Sequence, residues 1–320
     1  MKMTAYLGID TSCYTTSVAI VDLHGILLAD ERIPLVVKPG GRGLAQSEMV
    51  FQHVRNLPVI FDAIRKSLPE KFSILGVAAT SRPRPVEDSY MPVFLTGHGL
   101  GRSVAALEKR PFFSLSHQEG HILAGLWSAE KLEPAEWIAA HVSGGTTEIH
   151  RVVYSRGELK IELLGGSCDL QAGQFVDRIG VELDLPFPAG PHLERLARTF
   201  PFSPESVPVS TDGTNMSFSG PASHFSRRIA AGDDPANIAA SVQVCIAETL
   251  SRALRNAVQQ TGTKKVLLVG GVMANQFIRK SIADKLREEG SETTVPDPRY
   301  CSDNAVGAAI YVRNHVLAEK

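Results

Sequence analysis

The sequence predicts an α/β protein of two lobes, built on a duplicated βββαβα unit with a nucleotide cleft between the lobes. Three observations predict it. A strand, a polar turn, a second strand, a hairpin tip and a third strand follow one another over residues 5–33, and the same order returns over residues 137–164. A threonine pair falls at matching places in the two turns, at 15–16 and 146–147. Helical spacing follows each set of strands, as a duplicated α/β architecture requires.

The length fits two lobes, since 320 residues exceed the usual size of one domain and 43% of them are apolar. We place the first lobe at residues 1–112, completed by a C-terminal helix at 302–320, and the second lobe at 113–301. Outside the two sets of strands, apolar spacing predicts, in order, a helix at 47–68, a buried strand at 74–79, a helix at 173–183, an amphipathic helix at 238–260 and a strand at 265–269 that leads into a further helix.

The composition narrows the class of function. The 33 Lys and Arg against 34 Asp and Glu give a net charge of −1, which argues against capture of nucleic acid by the whole surface and leaves room for a local basic patch. The four cysteines include no CxxC pair, which fits a reducing compartment and neither a disulfide framework nor a zinc ribbon. Residues 1–22 show no basic segment, apolar stretch and cleavage site of the kind expected of a secretion leader, and no apolar run reaches the roughly 18 residues of a membrane span. We therefore expect a soluble, cytoplasmic protein with no membrane partner.

Two histidines one helical turn apart form the first candidate site. If residues 116–127 are helical, His117 and His121 project from one face and can share one cation. Asp303 stands before a predicted helix, where main-chain N–H groups can hold its carboxylate towards a cleft. These three residues are the predicted metal ligands. Two alternatives stay open at this point: a pair of histidines on a polar helix face, and a plain helix N-cap at Asp303.

The same histidines invite comparison with the H-E-x-x-H motif of zinc proteases. That mechanism needs a general base directly after the first histidine. Gln118 occupies this position, and Glu119 lies one residue later, about 100° further around the helix. We therefore do not expect proteolysis.

Glycine-rich turns form the second candidate site, for a nucleotide. Small residues let the main chain approach phosphates, and a strand that ends in a glycine doublet before a helix lets a nucleotide lie against the turn. A solvated helix carboxylate and an ordinary turn glycine are the alternatives for the single Asp and for the glycine in the Pro/Gly-rich bend. The candidates are Val142, Ser143, Gly144, Gly145, Thr146, Asp177, Gly190, Gly270, Gly271 and Asn275.

The duplicated pattern resembles the superfamily of actin, sugar kinases and heat-shock chaperone ATPases. In that architecture, each hairpin turn directs main-chain N–H groups towards the phosphates of the nucleotide. Two unrelated meanders are the alternative.

The motifs also resemble one family, the tRNA threonylcarbamoyladenosine transferases, once described as O-sialoglycoprotein endopeptidases. They occur in family order over nearly the whole chain. The matching runs are GIDTSC at 8–13, HQEGH at 117–121, VSGG at 142–145, the helix from 172 to 177, AGPHLERLA at 189–197, MSFSG at 216–220, GGVMAN at 270–275 and CSDNA at 301–305.

The resemblance implies transfer of a threonylcarbamoyl group from threonylcarbamoyl-adenylate to the N6 amine of the adenine next to the anticodon. It implies that His117, His121 and Asp303 bind one iron or zinc ion, and that the turn at 142–146, Asp177, Gly190 and Asn275 hold the adenylate or ATP. It also implies tRNA as substrate, partner subunits, and a heterodimer with a shorter paralogue.

Three departures from the family pattern point to a diverged paralogue. Tyr14 and Thr15 replace an Asp-Glu pair, Thr146 replaces a histidine, and residues 81–85 replace a Gly-Pro-Gly turn. These changes remove groups that can orient a cation or handle protons near the anhydride. Two alternatives therefore accompany the transferase: a nucleotide- and metal-binding regulatory or scaffold subunit without turnover, and a kinase or ATPase with Asp10 as its carboxylate.

Overall fold

The computed structural model describes residues 3–37, 43–69, 72–155, 157–202, 204 and 206–318.

The first hairpin repeat folds into a five-stranded sheet. The sheet has the strand order β3-β2-β1-β4-β5, with β1 antiparallel to β2 and parallel to β4. In chain order the elements are β1 (Met3–Thr11), β2 (Thr15–Asp22), β3 (Leu27–Pro34), α1 (Gln46–Ser67), β4 (Phe72–Arg82), α2 (Phe94–Leu107), β5 (Phe112–Ser116) and α3 (His117–Ser128).

The second repeat forms another five-stranded sheet, in the order β12-β11-β6-β7-β8. Its elements are β6 (Ala135–Val142), β7 (Thr147–Ser155), β8 (Glu158–Gly166), α4 (Ala172–Glu182), α5 (Gly190–Ala197), β9 (Thr211–Asp212), β10 (Asn215–Met216), α6 (Ser219–Ala230), α7 (Pro235–Thr261), β11 (Lys265–Val269), α8 (Gln276–Glu288) and β12 (Glu292–Thr294), and the chain ends with α9 (Val306–Ala318).

The strand orders confirm the duplication. Numbered within its own repeat, each sheet has the order 3-2-1-4-5, with the three hairpin strands on one side and two parallel strands added at the first strand. Parallel strands need helical crossovers, which α1 and α2 supply in the first repeat and α4 to α8 in the second.

The chain divides into two units by its contacts. Unit 1 contains Met1–Ala135, Tyr154–Lys160 and Arg299–Lys320, and unit 2 contains Glu136–Val153 and Ile161–Pro298. The division expected from the sequence, with a boundary after residue 112, assigned α3 to the second lobe. In the structure β5 and α3 make their contacts in unit 1, because α3 packs along α9.

The central strand β1 is buried on both faces. Leu7 and Ile9 face the cluster that includes Ile60 of α1, whereas Tyr6 faces the cluster formed with α9. Each fully buried aliphatic side chain of this kind contributes about 2 kcal/mol of hydrophobic stabilisation. The end of β1 is thereby fixed between two helical layers, and Asp10 lies at that end.

Two helices start later than the sequence predicts, which is near Ala274 for the helix after the strand at 265–269 and at 302 for the last helix. The strand β11 leads first into a 3₁₀ turn at Gly271–Ala274, and α8 begins after Asn275, whose side chain caps it. The last helix begins at Val306 rather than at 302, because Asn304 forms a turn there and accepts a hydrogen bond from the N–H of Val306 (3.0 Å). Across the residues that the structure describes, no helix combines the length and apolar character needed to span a membrane.

Candidate functional site

Two imidazoles and a carboxylate converge in unit 1. His117 is the first residue of α3, His121 lies one turn later, and Asp303 lies in the segment before α9. The Nε2 atoms of the two histidines are 3.0 Å apart, and each lies 3.5 Å from Oδ1 of Asp303. One ligand atom from each residue falls within 4.8 Å of the other two. The structure therefore brings together all three predicted metal ligands.

This donor set fits a divalent transition metal. Metal–ligand bonds of about 2.1 Å place neighbouring ligand atoms roughly 3.0 to 3.4 Å apart in octahedral or tetrahedral coordination, close to the observed separations. Two histidines and one carboxylate suit zinc and also match the facial triad of non-haem iron, and both leave positions open for a substrate. His121 is buried and the side chain of Asp303 is 25% exposed, so the cluster is partly accessible to solvent.

A second carboxylate supports the cluster from behind. Asp10, at the end of β1, is fully buried, and its Oδ1 lies 3.2 Å from Nδ1 of His117. It also accepts hydrogen bonds from the hydroxyls of Thr80 (2.5 Å) and Ser12 (2.8 Å). A carboxylate on Nδ1 fixes the imidazole with Nε2 directed at the shared position, as metal-ligating histidines require. In the sequence, Asp10 is considered only as the carboxylate of a kinase or ATPase. The signal that could have indicated its role beside His117 is its position as a single Asp at the end of a buried strand.

The start of α3 explains why the sequence reads H-Q-E-G-H. The Ser116 hydroxyl accepts from the N–H of Glu119 (3.2 Å), and the Glu119 carboxylate accepts from the N–H of Ser116 (2.6 Å). This capping box fixes the first turn, where His117 sits. Glu119 is thereby engaged at the helix end, which agrees with the expectation that the motif is not that of a zinc protease.

Small residues bring α9 close enough for Asp303 to reach the histidines. A Cβ atom on Gly307 would overlap the main chain of Gly120 in α3, and one on Gly8 of β1 would overlap the main chain of Ala305 and Ala309. The carboxamide of Asn304, not the carboxylate of Asp303, accepts from the first helical N–H. The N-cap alternative for Asp303 is therefore wrong, and its carboxylate faces the imidazoles.

The electrostatics of the cluster favour a positive charge. Burial by itself lowers the pKa of His117, but the charges and hydrogen bonds of Asp10 and Asp303 outweigh it and raise that pKa to about 10. Burial and the neighbouring charge of His117 lower the pKa of His121. For Asp303, burial works to raise the pKa, and the hydrogen bonds and charges of both histidines hold it well below its ordinary value. Two carboxylates facing two imidazoles thus demand a cation, which is a proton or a metal ion.

In unit 2, the turn between β6 and β7 is closed by its own serine. The N–H of Ser143 donates to the carbonyl of Thr146 (2.7 Å), and the Ser143 hydroxyl accepts from the N–H groups of Gly145 (3.3 Å) and Thr146 (3.1 Å). A Cβ on Gly144 or Gly145 would meet no atom within 4 Å, so this turn has open space in front of it. Three of the N–H groups expected to face phosphates, those of Ser143, Gly145 and Thr146, are therefore engaged inside the turn.

Glycines join this turn to its neighbours. Gly270 has φ +100°, and a Cβ there would overlap the main chain of Val142. Gly173, in the first turn of α4, donates its N–H to the carbonyl of Ser143 (3.1 Å) and lies against Gly144. A Cβ on the next residue, Gly271, would instead meet no atom within 4 Å. The predicted residues at 142–146 and 270–271 therefore lie together.

The remaining predicted residues surround the starts of α5 and α8. The Asp177 carboxylate accepts from the N–H of Ala189 (2.8 Å), directly before Gly190, and burial raises its pKa. Asn275 caps α8 by accepting from the N–H of Ile278 (3.0 Å). The two places are linked, because Glu194 of α5 accepts from the N–H of Gln276 (3.1 Å). The Asn275 oxygen is used in capping, which leaves its Nδ2 amide as the group to offer a ligand.

The family described as TsaD, tRNA N6-adenosine threonylcarbamoyltransferase, matches residues 41–310. The chain belongs to this family. The match begins after Asp10, Tyr14 and Thr15 and includes all three predicted metal ligands. Family membership makes the chain a transferase-type, tRNA-processing protein, and the departures at Tyr14, Thr15 and Thr146 fit a diverged paralogue.

Solved structures of the same fold are more distant in sequence. Full-length HypF, in a phosphate- and nucleotide-bound form, matches with a TM-score of 0.64 and 12% identity over 99% of this chain and 56% of HypF. Component A of the (R)-2-hydroxyglutaryl-CoA dehydratase of Acidaminococcus fermentans gives 0.57 and 15% over 99% and 100%. A ROK hexokinase from Thermus thermophilus gives 0.52 and 14% over 98% and 99%. These likenesses confirm the predicted fold class, that of actin, the sugar kinases and related ATPases.

Proposed function

We propose that this TsaD family member transfers a threonylcarbamoyl group from threonylcarbamoyl-adenylate to the N6 amine of the adenosine next to the anticodon of tRNA. The N6 nitrogen attacks the carbamoyl carbon, the C–N bond forms, the bond from that carbon to the phosphate oxygen breaks, AMP leaves, and N6 loses a proton. Iron or zinc is the proposed metal, and ATP or the adenylate is the proposed nucleotide.

One observation carries the proposal. The chain keeps two imidazoles and a carboxylate with their ligand atoms within 4.8 Å of one another, inside the region that matches the family. His117, His121 and Asp303 would hold the metal ion, which would supply positive charge to stabilise the negative charge that develops at the acyl centre. Asp10 keeps the His117 ring oriented through Nδ1.

Unit 2 would hold the adenylate. The open space at Gly144, Gly145 and Gly271 allows a main chain to approach a phosphate, and the buried Asp177 carboxylate can accept from sugar hydroxyls. The residues proposed for this role are Val142, Ser143, Gly144, Gly145, Thr146, Asp177, Gly190, Gly270, Gly271 and Asn275. We further propose that tRNA binds together with partner subunits, one of them a shorter paralogue, since a net charge of −1 provides little general attraction for RNA.

The test is reconstitution with tRNA, threonine, bicarbonate, ATP and the remaining proteins of the pathway, followed by mass analysis of the tRNA nucleosides. Wild-type protein should yield threonylcarbamoyladenosine, and His121→Ala should yield none while it folds normally. If wild-type protein binds metal and adenylate but leaves the tRNA unmodified, the transferase is rejected in favour of a binding or regulatory paralogue. Phosphate release without modified tRNA would instead identify an ATPase.

A further inference from the structure

We propose that Arg32, on β3, is a positioning residue that fixes the segment 299–303 and so holds the Asp303 carboxylate within reach of the two histidines. This inference rests on the proposed metal site. It concerns a residue that does not touch the proposed ion or the substrate.

Arg32 contacts the main chain of this segment at both ends. Its Nη1 donates to the carbonyl of Arg299 (2.6 Å) and lies 3.5 Å from the carbonyl of Asp303 itself. Hydrogen bonds from a charged guanidinium to carbonyls are among the stronger ones in proteins. One side chain thus bridges the start and the end of the segment that carries the carboxylate.

The guanidinium is itself held in place. Its Nε and Nη2 donate to the two carboxylate oxygens of Asp30, two residues earlier on β3, at 2.9 and 2.6 Å. Both side chains are about four-fifths buried, with 20% and 17% exposed. This two-pronged pairing orients the plane of the guanidinium and leaves Nη1 to the carbonyls. A lysine in this place has one charged group and cannot make both sets of contacts.

An aromatic ring of the segment also contacts Arg32. Tyr300, within the segment, is 8% exposed. Its ring centre lies 5.4 Å from the Arg32 guanidinium and 5.0 Å from the ring centre of Trp127, which meets it in an edge arrangement. Trp127 belongs to α3, the helix of His117 and His121. Arg32 therefore connects β3, the Asp303 segment and the histidine helix in one set of contacts.

The segment needs this support because it has little regular structure. Between the 3₁₀ turn at Pro298–Tyr300 and the start of α9 at Val306, the chain forms turns and bends. A ligand on such a segment must be ordered before it can bind, and that ordering reduces metal affinity unless the fold provides it beforehand. Losing supports of this type commonly lowers metal affinity about 10- to 100-fold.

The test measures Co²⁺ binding by the full-length protein, free of metal at the start, by titration and by the visible absorption spectrum of the bound ion. Arg32→Met keeps the length of the side chain and removes the donors. The matched control is Arg313→Met, since Arg313 also donates to a main-chain carbonyl of unit 1, that of Leu23 at 3.0 Å, away from residues 299–303. We expect Arg32→Met to weaken Co²⁺ binding about tenfold and to alter the spectrum, and Arg313→Met to do neither.

Two further variants separate positioning from general stability. Arg32→Lys should recover only part of the affinity, and Asp30→Asn should lower it, while thermal unfolding of the metal-free variants changes little. If Arg32→Met binds Co²⁺ as wild-type does, with the same spectrum, the positioning role is wrong and the metal site stands. If wild-type protein itself binds no Co²⁺, Zn²⁺ or Fe²⁺, both this inference and the proposed metal site are wrong.

Discussion

The two repeats share one strand order but build their candidate sites from different materials. In unit 1, side chains converge on a point: Asp10 and the three proposed ligands come from β1, α3 and the segment before α9. In unit 2, the turn between β6 and β7 is built from main chain, two glycines and the Ser143 hydroxyl, with open space in front of Gly144 and Gly145. The proposed site in unit 1 therefore depends on particular functional groups of side chains. The proposed site in unit 2 depends on glycines, whose lack of a side chain leaves space in front of the turn. Removing a functional group should damage the first, and adding a methyl group should damage the second.

The largest expected effect is loss of metal binding on removing a ligand charge in unit 1. Asp303→Asn keeps the size of the side chain but removes the carboxylate that lies beside both imidazoles. Divalent metal affinity should therefore fall by about two orders of magnitude or more, since losing a residue that only supports a ligand already costs about 10- to 100-fold. Titration with Zn²⁺ or Co²⁺ measures it. Asp177→Asn, the matching change in unit 2, should leave the affinity unchanged, and equal losses in both variants would refute the division of roles.

The next effect is on the folding of unit 2, and it distinguishes two adjacent glycines. Gly270→Ala places a methyl group against the main chain of Val142 at φ +100°, which should lower the free energy of unfolding by about 3 kcal/mol. Gly271→Ala adds the same methyl group to open space and should change it by less than about 0.5 kcal/mol. Urea unfolding measures both. If the two variants lost the same free energy of unfolding, the contact of Gly270 with the main chain of Val142 would have no special importance for stability.

A methyl group in unit 1 should be felt through helix packing. Gly307→Ala pushes α9 away from the main chain of Gly120, with an expected loss of about 2 kcal/mol and a weaker metal site, since Asp303 precedes α9. The control is Gly99→Ala on the exposed face of α2, where a methyl group meets no atom within 4 Å and should stabilise the helix by about 0.5 to 1 kcal/mol. Thermal unfolding and Co²⁺ titration of both variants provide the comparison. Unchanged metal affinity in a destabilised Gly307→Ala would mean that helix spacing does not set the position of Asp303.

The duplication was predictable from the sequence because alternating strands and polar turns leave a local pattern that occurs twice. The spacing of His117 and His121 was likewise local, and it predicted a shared helix face that the structure has. Which acid joins them was not local. Asp303 and Asn304 are both reasonable caps for α9, and only the hydrogen bond from Val306 to Asn304 shows which of them is left to face the histidines.

The residues that support the cluster could not be predicted from sequence pattern alone. Asp10 stands more than a hundred positions before His117, and Gly307 matters because of Gly120, which no period or spacing connects. The expected division, with its boundary after residue 112, gave the C-terminal helix at 302–320 to the first lobe but not α3. The contacts of α3 with α9 instead join residues from the middle and the end of the chain in unit 1.

The smallest expected effect concerns a carboxylate that ties two loops of unit 2 without joining the candidate sites. Asp169 accepts from the Ser217 hydroxyl (2.5 Å) and from the N–H groups of Phe218 (2.9 Å) and Leu170 (2.5 Å). Burial acts to raise its pKa, and these hydrogen bonds outweigh it and lower the pKa to about 2.

Because the pKa of Asp169 is lower in the folded state, its contribution to stability is complete above the ordinary value of 3.8 and is lost as the pH falls from there towards 2. The side chain is largely exposed, so solvent screening should keep the contribution to about 1 kcal/mol or less. In urea unfolding, Asp169→Asn should be less stable than wild-type at pH 5, and the gap should narrow by pH 3. A gap that stays constant from pH 5 to pH 3 would show that the loops of unit 2 are held by packing rather than by the ionised carboxylate. That result would extend to these loops the dependence on shape that distinguishes unit 2 from the charged cluster of unit 1.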